Sequence, residues 1–488
     1  MMYENLFCHS SINLCLNIYI YISPTLAMFT GGKQVGEARK SRHPLSGISE
    51  ISREETGYGK MIIGIDDTDS NEGMCTTYLG ALLLEELQEY GTVETLPLLV
   101  RLNPTIPYKT RGNAAIALKL KTDCPEKIIA HVTSRIEEFA RMECEKTNPG
   151  AVFIQEKDYR SLKPILLSFL EKAVKDVIEI ETAKHLISEL GISSKSFKNG
   201  RGLIGALAAC GAMLNPEKWD CTFEHLAYRQ KKKWGSPRDV NKDSFFEADR
   251  QTYPGTWDTV DLANRLVVCV PHSADPVLFG IRGESPELVS KAASLIRSEP
   301  VERFAVYRTN QGTDMHLLPA ASISEIRDMH SYRFEGTVSA VPKTIEGGHV
   351  IFAVRDGKGD EIDCAAFEPT KNFRVLARRL LLGDQIFLSG SVTSGTLNIE
   401  KMQVKELVLL YREENPKCPE CGKHMKSAGQ GQGFRCKKCG TRASSKIRCE
   451  AERDLEPGLY EVPPCARRHL AKPLARERDQ NIRIHPSR

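Results

Sequence analysis

Met61-Ile62-Ile63-Gly64-Ile65-Asp66-Asp67-Thr68-Asp69-Ser70 decides the fold: an apolar run of strand type that ends in three carboxylates within four residues. A strand holds its C-terminal end rigidly, and alternation sends Asp67 and Asp69 to the same side. Oxygen ligands on such an edge suit Mg²⁺, which takes one or two carboxylates and fills its octahedron with water and substrate phosphates. Gly73 then turns the chain into an apolar-periodic helix expected over residues 78–89, with Thr76 or Thr77 as its cap. Acids, a glycine turn and a capped helix together read as a site for a nucleotide's phosphates. The plainer alternative is a polar turn whose acids serve only as caps.

Two further segments carry cations suited to phosphate. Residues 101–113 (RLNPTIPYKTRGN) set Lys109, Arg111 and Asn113 in a proline-stiffened loop, where arginine can grip an oxyanion bidentately. Lys198, Asn199 and Arg201 enter a small-residue helix through glycines, again an anion-binding arrangement. The G-x-x-x-x-G-K-[ST] spacing is absent from both, so any ATP is held by another cradle. Cys75 stands beside Thr76, but nothing nearby in sequence would lower its pKa enough to make it a nucleophile. Cys418-x2-Cys421 and Cys436-x2-Cys439 have the spacing of a closed, structural four-thiolate zinc site.

GIDDTDSNEGMCTTYLG (residues 64–80) closely resembles the start of the archaeal tRNA(Ile) 2-agmatinylcytidine synthetase family. RLNPTIPYKTRGNAAIAL (101–118), EKTNPG (145–150), FKNGRGLIGALAA (197–209) and PHSADPVLFGIRGES (271–285) continue the resemblance, which covers about residues 61–440. It implies an ATP-dependent ligase that joins agmatine to carbon 2 of the wobble cytidine of an isoleucine tRNA, contacting anticodon loop and acceptor region. It also implies a kinase-like domain that phosphorylates itself on Thr76, with Asp66, Asp67 and Asp69 as catalytic, Mg²⁺-binding acids, and a ferredoxin-like domain after it. The competing class is a non-catalytic RNA- or ssDNA-binding protein, which leaves the acidic constellation unexplained.

The 488 residues carry a net charge of +4, but residues 411–488 hold 18 Lys and Arg against 10 Asp and Glu, a surplus of +8. The C-terminal region is therefore basic and suited to phosphate, while the rest of the chain sums to −4. Mean hydropathy of −0.32 and scattered cysteines fit a soluble protein of a reducing cytoplasm. Residues 14–22 are apolar but too few to span a bilayer, and no Lys or Arg precedes them. No membrane association is expected.

The expected organisation is an α+β multidomain chain. Residues 1–60 read as a disordered extension or a misplaced start, 61–195 as the kinase-like domain and 196–328 as the ferredoxin-like domain. Residues 329–412 show five short strands, with a helix over about 370–382 between the third and fourth, which is the layout of an OB-fold. A zinc ribbon over 413–445 and a solvated basic tail over 446–488 complete the chain. Residues 228–234 (YRQKKKW) form a basic, aromatic patch.

Overall fold

The computed structural model describes residues 59–488. The expectation for residues 1–60 falls, except for Gly59 and Lys60, outside the described residues. Gly59–Asp66 is the first strand and lies inside a ten-stranded sheet. Ile62 packs against the helices Tyr159–Lys175 and Gly202–Leu214, whereas Met61, Ile63 and Ile65 pack against the helices Thr76–Glu86 and Pro125–Phe139. Burial on both faces is why this strand reads as a continuous apolar run.

The sheet is two copies of one topology joined edge to edge. Gly59–Asp66, Leu98–Arg101, Ala114–Thr122 and Gly150–Gln155, with two intervening helices, make a β-α-β-β-α-β unit in spatial order 4-1-3-2. Thr222–Arg229, Thr256–Trp257, Val277–Gly283 and Val301–Thr309, with helices Lys242–Thr252 and Pro286–Ser294, repeat that order. The two meet where Leu98 and Leu99 pair in parallel with Arg308 and Thr309; the other neighbours on the sheet's path are antiparallel. The helix Gly202–Leu214, beyond the junction expected near residue 196, packs into the first unit's core. The change of core therefore comes later than the change of sequence texture suggests.

Residues 228–234 are only partly a surface patch. Tyr228 and Arg229 end a central strand and are fully buried, with Arg229 Nε 2.8 Å from Glu299 Oε1. A run of like charge hides such a partner, which lies far along the chain.

Ser331–Thr344, Val350–Arg355, Glu361–Ala366, Gln385–Thr393 and Thr396–Glu406 close into a five-stranded barrel. Its helix, Asn372–Ala377, lies between the third and fourth strands, as expected. The ribbon stands on a two-stranded arm, Leu410–Glu414 against Ile447–Ala451. The tail reading of residues 446–488 is overturned. Gly458–Glu461 adds a strand to the barrel, Leu455, Leu470 and Leu474 are buried, and Arg467 and Arg476 sink into ion pairs. Composition shows the charge of a segment but not the acids waiting for it. Among the described residues, no helix is long and apolar enough to cross a membrane.

Candidate functional site

At the end of the first strand Asp67 takes a left-handed backbone, φ 59°, and swings the chain out of the sheet. Asp66 stays against the Gly202–Leu214 helix, where a Cβ at Gly205 would lie 1.9 Å from its Oδ2. Glycine at 205 is what allows helix and carboxylate to meet. Asp67 Oδ2 accepts from the Asn148 N–H at 3.2 Å. Burial, followed by repulsion from Asp66 and Asp69, pushes the Asp67 carboxyl up to about 8; burial pushes Asp66 up to about 7.

Asp69 is differently placed. Its Oδ1 accepts from both the N–H and the hydroxyl of Thr76, the latter at 2.8 Å, and its Oδ2 lies 3.1 Å from Arg111 Nη2. Thr76 is therefore the first helical residue and not the cap. Cys75 occupies the cap position without a side-chain bond, and Asp69 reaches across to do that work. Burial pushes the Cys75 thiol up to about 11, which removes it as a nucleophile. Arg111 also donates to the carbonyls of Ser70 (2.7 Å) and Met74 (2.6 Å), so it clamps the acidic loop.

These residues line two adjoining chambers. The first collects Asp66, Asp67, Asp69, Lys109, Arg111, Asn113 and Arg201 beside apolar Ile106, Val177, Ile178 and Ile204. Arg201 stacks on Tyr108 with its guanidinium 4.0 Å from the ring centroid. The second, about 290 Å³, is bounded by Asp69, Thr76, Arg101 and Arg111, and also by Glu224, Asp275, Arg282 and His469. Asp69, Arg111, Asn113 and Ala114 form the shared wall. Gly73, Lys198 and Asn199 line neither chamber; the Lys198 ammonium donates to the Cys144 carbonyl instead. Glu224 and His469 lie beyond sequence reasoning because each is a lone residue outside any motif. Arg282 and Asp275 sit in a conspicuous glycine-containing block whose role spacing alone does not define.

The acids do not converge as a three-carboxylate metal cage. Among the described residues, only Cys418, Cys421, Cys436 and Cys439, and a trio of exposed Glu72 and Glu143 with half-buried Cys144, form groups of three or more His, Cys, Asp or Glu whose ligand atoms lie within 4.8 Å of one another. Gly422 and Gly440, both at positive φ, donate back to the Cys418 and Cys436 carbonyls at 2.8 and 2.9 Å, and so bend the two knuckles toward one point. Four thiolates so placed fit tetrahedral zinc.

Family models named TiaS TCKD domain, TiaS FLD domain and TiaS C-terminal zinc ribbon domain match residues 62–127, 200–316 and 415–455. A Methanosarcina mazei protein named as the isoleucine-tRNA 2-agmatinylcytidine synthetase TiaS is 81% identical over 428 residues, 88% of this chain and 100% of that protein. An Archaeoglobus fulgidus protein of the same name is 49% identical over 415 residues, 85% of this chain and 97% of its own length. A crystal structure of TiaS in complex with its isoleucine tRNA and ATP is similar with TM-score 0.78 and 47% identity, covering 88% of this chain and all of that one. A TiaS complex with the same tRNA, AMPCPP and agmatine gives 0.76 and 44%, with the same coverage.

Proposed function

The chain belongs to the TiaS family, the 2-agmatinylcytidine synthetases of isoleucine tRNA, and on that footing we propose how its two chambers divide the family's reaction. It is an ATP-dependent ligase that conjugates agmatine to the wobble cytidine of isoleucine tRNA. The observation that carries the reading is the shared wall: the acids of the nucleotide chamber lie on one side, and Thr76, held by Asp69, faces the other.

The carbonyl oxygen on carbon 2 of cytosine is a poor leaving group, and phosphorylation makes it a good one. Phosphoryl transfer needs positioning and charge neutralisation more than covalent chemistry. Asp66, buried, and Asp67, half-buried, line one cavity and have the donor set for Mg²⁺, which needs only one or two acids. An ion held there would supply neutralisation of phosphate charge. Lys109 and Arg201 face the same chamber and suit the remaining phosphate oxygens. Asp69 accepts the Thr76 hydroxyl proton in a short, aimed bond, which suits Thr76 as a phosphoryl acceptor and Asp69 as its base. Arg111 fixes Asp69 while it does so. The cytidine must leave its stack to enter the second chamber, at a cost of a few kcal/mol.

The 4-1-3-2 order supports the ferredoxin-like reading of the second unit, and the acidic chamber supports the kinase-like reading of the first. The barrel's strand pairing supports the OB-fold, and its place beside the ribbon supports a role in holding the tRNA body. On the ribbon arm, exposed Leu409, Leu410 and Tyr411, with Arg448 stacked 4.0 Å from the Tyr411 centroid, offer a base-stacking surface. Such a substrate supports a cytoplasmic location. A purely RNA-binding role leaves the Asp66–Asp67–Asp69–Thr76 constellation without a purpose. Mass spectrometry of isoleucine tRNA incubated with protein, ATP and agmatine tests the reading. An unmodified cytidine with all three present overturns it.

A further inference from the structure

After the ribbon the chain returns to the catalytic half as a strap. Its backbone runs against the 312–314 loop: the Gly312 N–H donates to the His469 carbonyl at 2.8 Å, and the Asp314 N–H to the Leu470 carbonyl at 2.8 Å. The Lys472 N–H donates to Asp314 Oδ1 at 2.7 Å. On one side of His469, Arg467 is paired with Asp258 and Glu461; on the other, Arg476 is paired with Glu284 and Asp220. A histidine is thus fixed in the wall of the second chamber by a segment that begins in the barrel.

The ring's environment sets its proton. Arg282 Nη2 lies 2.7 Å from His469 Nδ1. Arginine only donates, so Nδ1 accepts. Burial, with Arg101, Arg282 and Lys109 as positive neighbours, holds the imidazole well below its usual pKa. The ring is therefore neutral, with its hydrogen on Nε2, and Nδ1 makes its one side-chain hydrogen bond among the described residues. Gly112 stands opposite: a Cβ there would lie 3.5 Å from Nε2 and 2.3 Å from Arg101 Nη1. His469, Arg101 and Arg282 thus line one cavity that also has Gly112 and Thr76 on its wall.

We infer that His469 is a catalytic residue of the second chamber, whose Nε2–H donates to an anionic oxygen of the phosphoryl group leaving carbon 2 of the cytidine. This rests on the proposed reading of that chamber as the place of displacement. The agmatine amine forms the new carbon–nitrogen bond with its lone pair. The carbon–oxygen bond breaks with its electron pair on the phosphate, which also takes up the proton that the amine sheds. His469 keeps its own proton throughout; with Arg282 it stabilises the charge that grows on the departing oxygen.

Three substitutions separate donation from mere support of Arg282. Glutamine places an N–H near the Nε2 position, asparagine places an acceptor near Nδ1, and alanine supplies neither. In single-turnover conjugation with full-length protein, tRNA, ATP and agmatine, His469→Gln should stay within about tenfold of wild type. His469→Asn and His469→Ala should each fall about 100-fold in the single-turnover rate constant, the loss typical of one oxyanion donor. ATP binding and the thermal midpoint, followed in parallel, identify any variant that has simply misfolded. Equal activity of the alanine variant and wild type overturns the role. So does rescue by asparagine but not glutamine, which would mean that His469 only orients Arg282. A wild-type protein that makes no agmatinylated tRNA defeats the chamber reading itself, which keeps the two failures distinct.

Discussion

Asp69 binds Thr76 twice across seven residues: one carboxylate oxygen accepts both the backbone N–H that opens the helix and the hydroxyl of the same residue. A cap and a proton acceptor are thus one group. Thr76→Ala removes the hydroxyl and its bonds to Asp69 and Thr68 but leaves the N–H in place. We expect a stability loss of about 1–3 kcal/mol, because the buried Thr68 donors lose their acceptor, and complete loss of self-labelling from γ-labelled ATP. A folded alanine variant that still labels itself to the wild-type extent would show that Thr76 has only a structural role.

Asp66 and Asp67 give the site a pH signature. Their folded-state pKa values of about 7 and about 8 lie above the ordinary carboxylate range, so the folded protein binds more protons than the unfolded chain in between. The stability they contribute is fully present below about pH 4 and is lost as pH rises through about 7 and 8. Mg²⁺ held as proposed would reverse this by favouring the ionised pair. Melting temperatures should therefore rise with Mg²⁺ at pH 8 and change little at pH 5. Asp67→Asn should abolish phosphoryl transfer, keep tRNA affinity and flatten the Mg²⁺ effect. A Mg²⁺ stabilisation of the same size in Asp67→Asn and wild type would remove Asp67 from the metal site.

What is legible in the sequence follows from how local each feature is. Met61 to Thr76 lies in one unbroken stretch, so periodicity, acids and helix start can be read together, and the four cysteines announce themselves by spacing. Arg282, Glu224 and His469 meet only because the second unit's two central strands and the C-terminal strap fold back on the first. Glu224 and His469 have no patterned neighbour, and the glycine-containing block around Arg282 does not by itself define a role. The strap misleads for the same reason: Arg467 counts as surplus charge until Asp258 and Glu461 are placed beside it. Spacing also groups Asp69 with Asp66 and Asp67, since it cannot show the bonds that Thr76 and Arg111 make to its oxygens.

The ribbon's packed interior consists of little beyond Cys418, Met425 and Cys436. Cys436→Ser should therefore release zinc and unfold the ribbon, because three thiolates hold the ion less well and no core replaces it. Zinc content should fall and tRNA affinity weaken, while ATP binding persists in a chamber to which the ribbon contributes no residue. Wild-type protein without zinc would defeat this expectation.

Arg467 tests whether the strap is structural. Its side chain is 2% exposed, between Asp258 at 3% and Glu461 at 2%, with Nη2 2.8 Å from Glu461 Oε1. Removing one member of such a group leaves two carboxylates buried against each other, and breaking a buried pair costs about 3–5 kcal/mol. Arg467→Ala should lower the thermal midpoint and weaken the seat of His469, so conjugation falls even at temperatures where the variant is folded. Arg467→Lys retains the charge but not the two-pronged geometry and should recover only part of the stability. Arg488 is the control, because its side chain is 33% exposed although it pairs with buried Asp249 at 2.6 Å. If the segment were a solvated tail, Arg467→Ala would cost no more than Arg488→Ala, and denaturant midpoints for the two variants decide the matter.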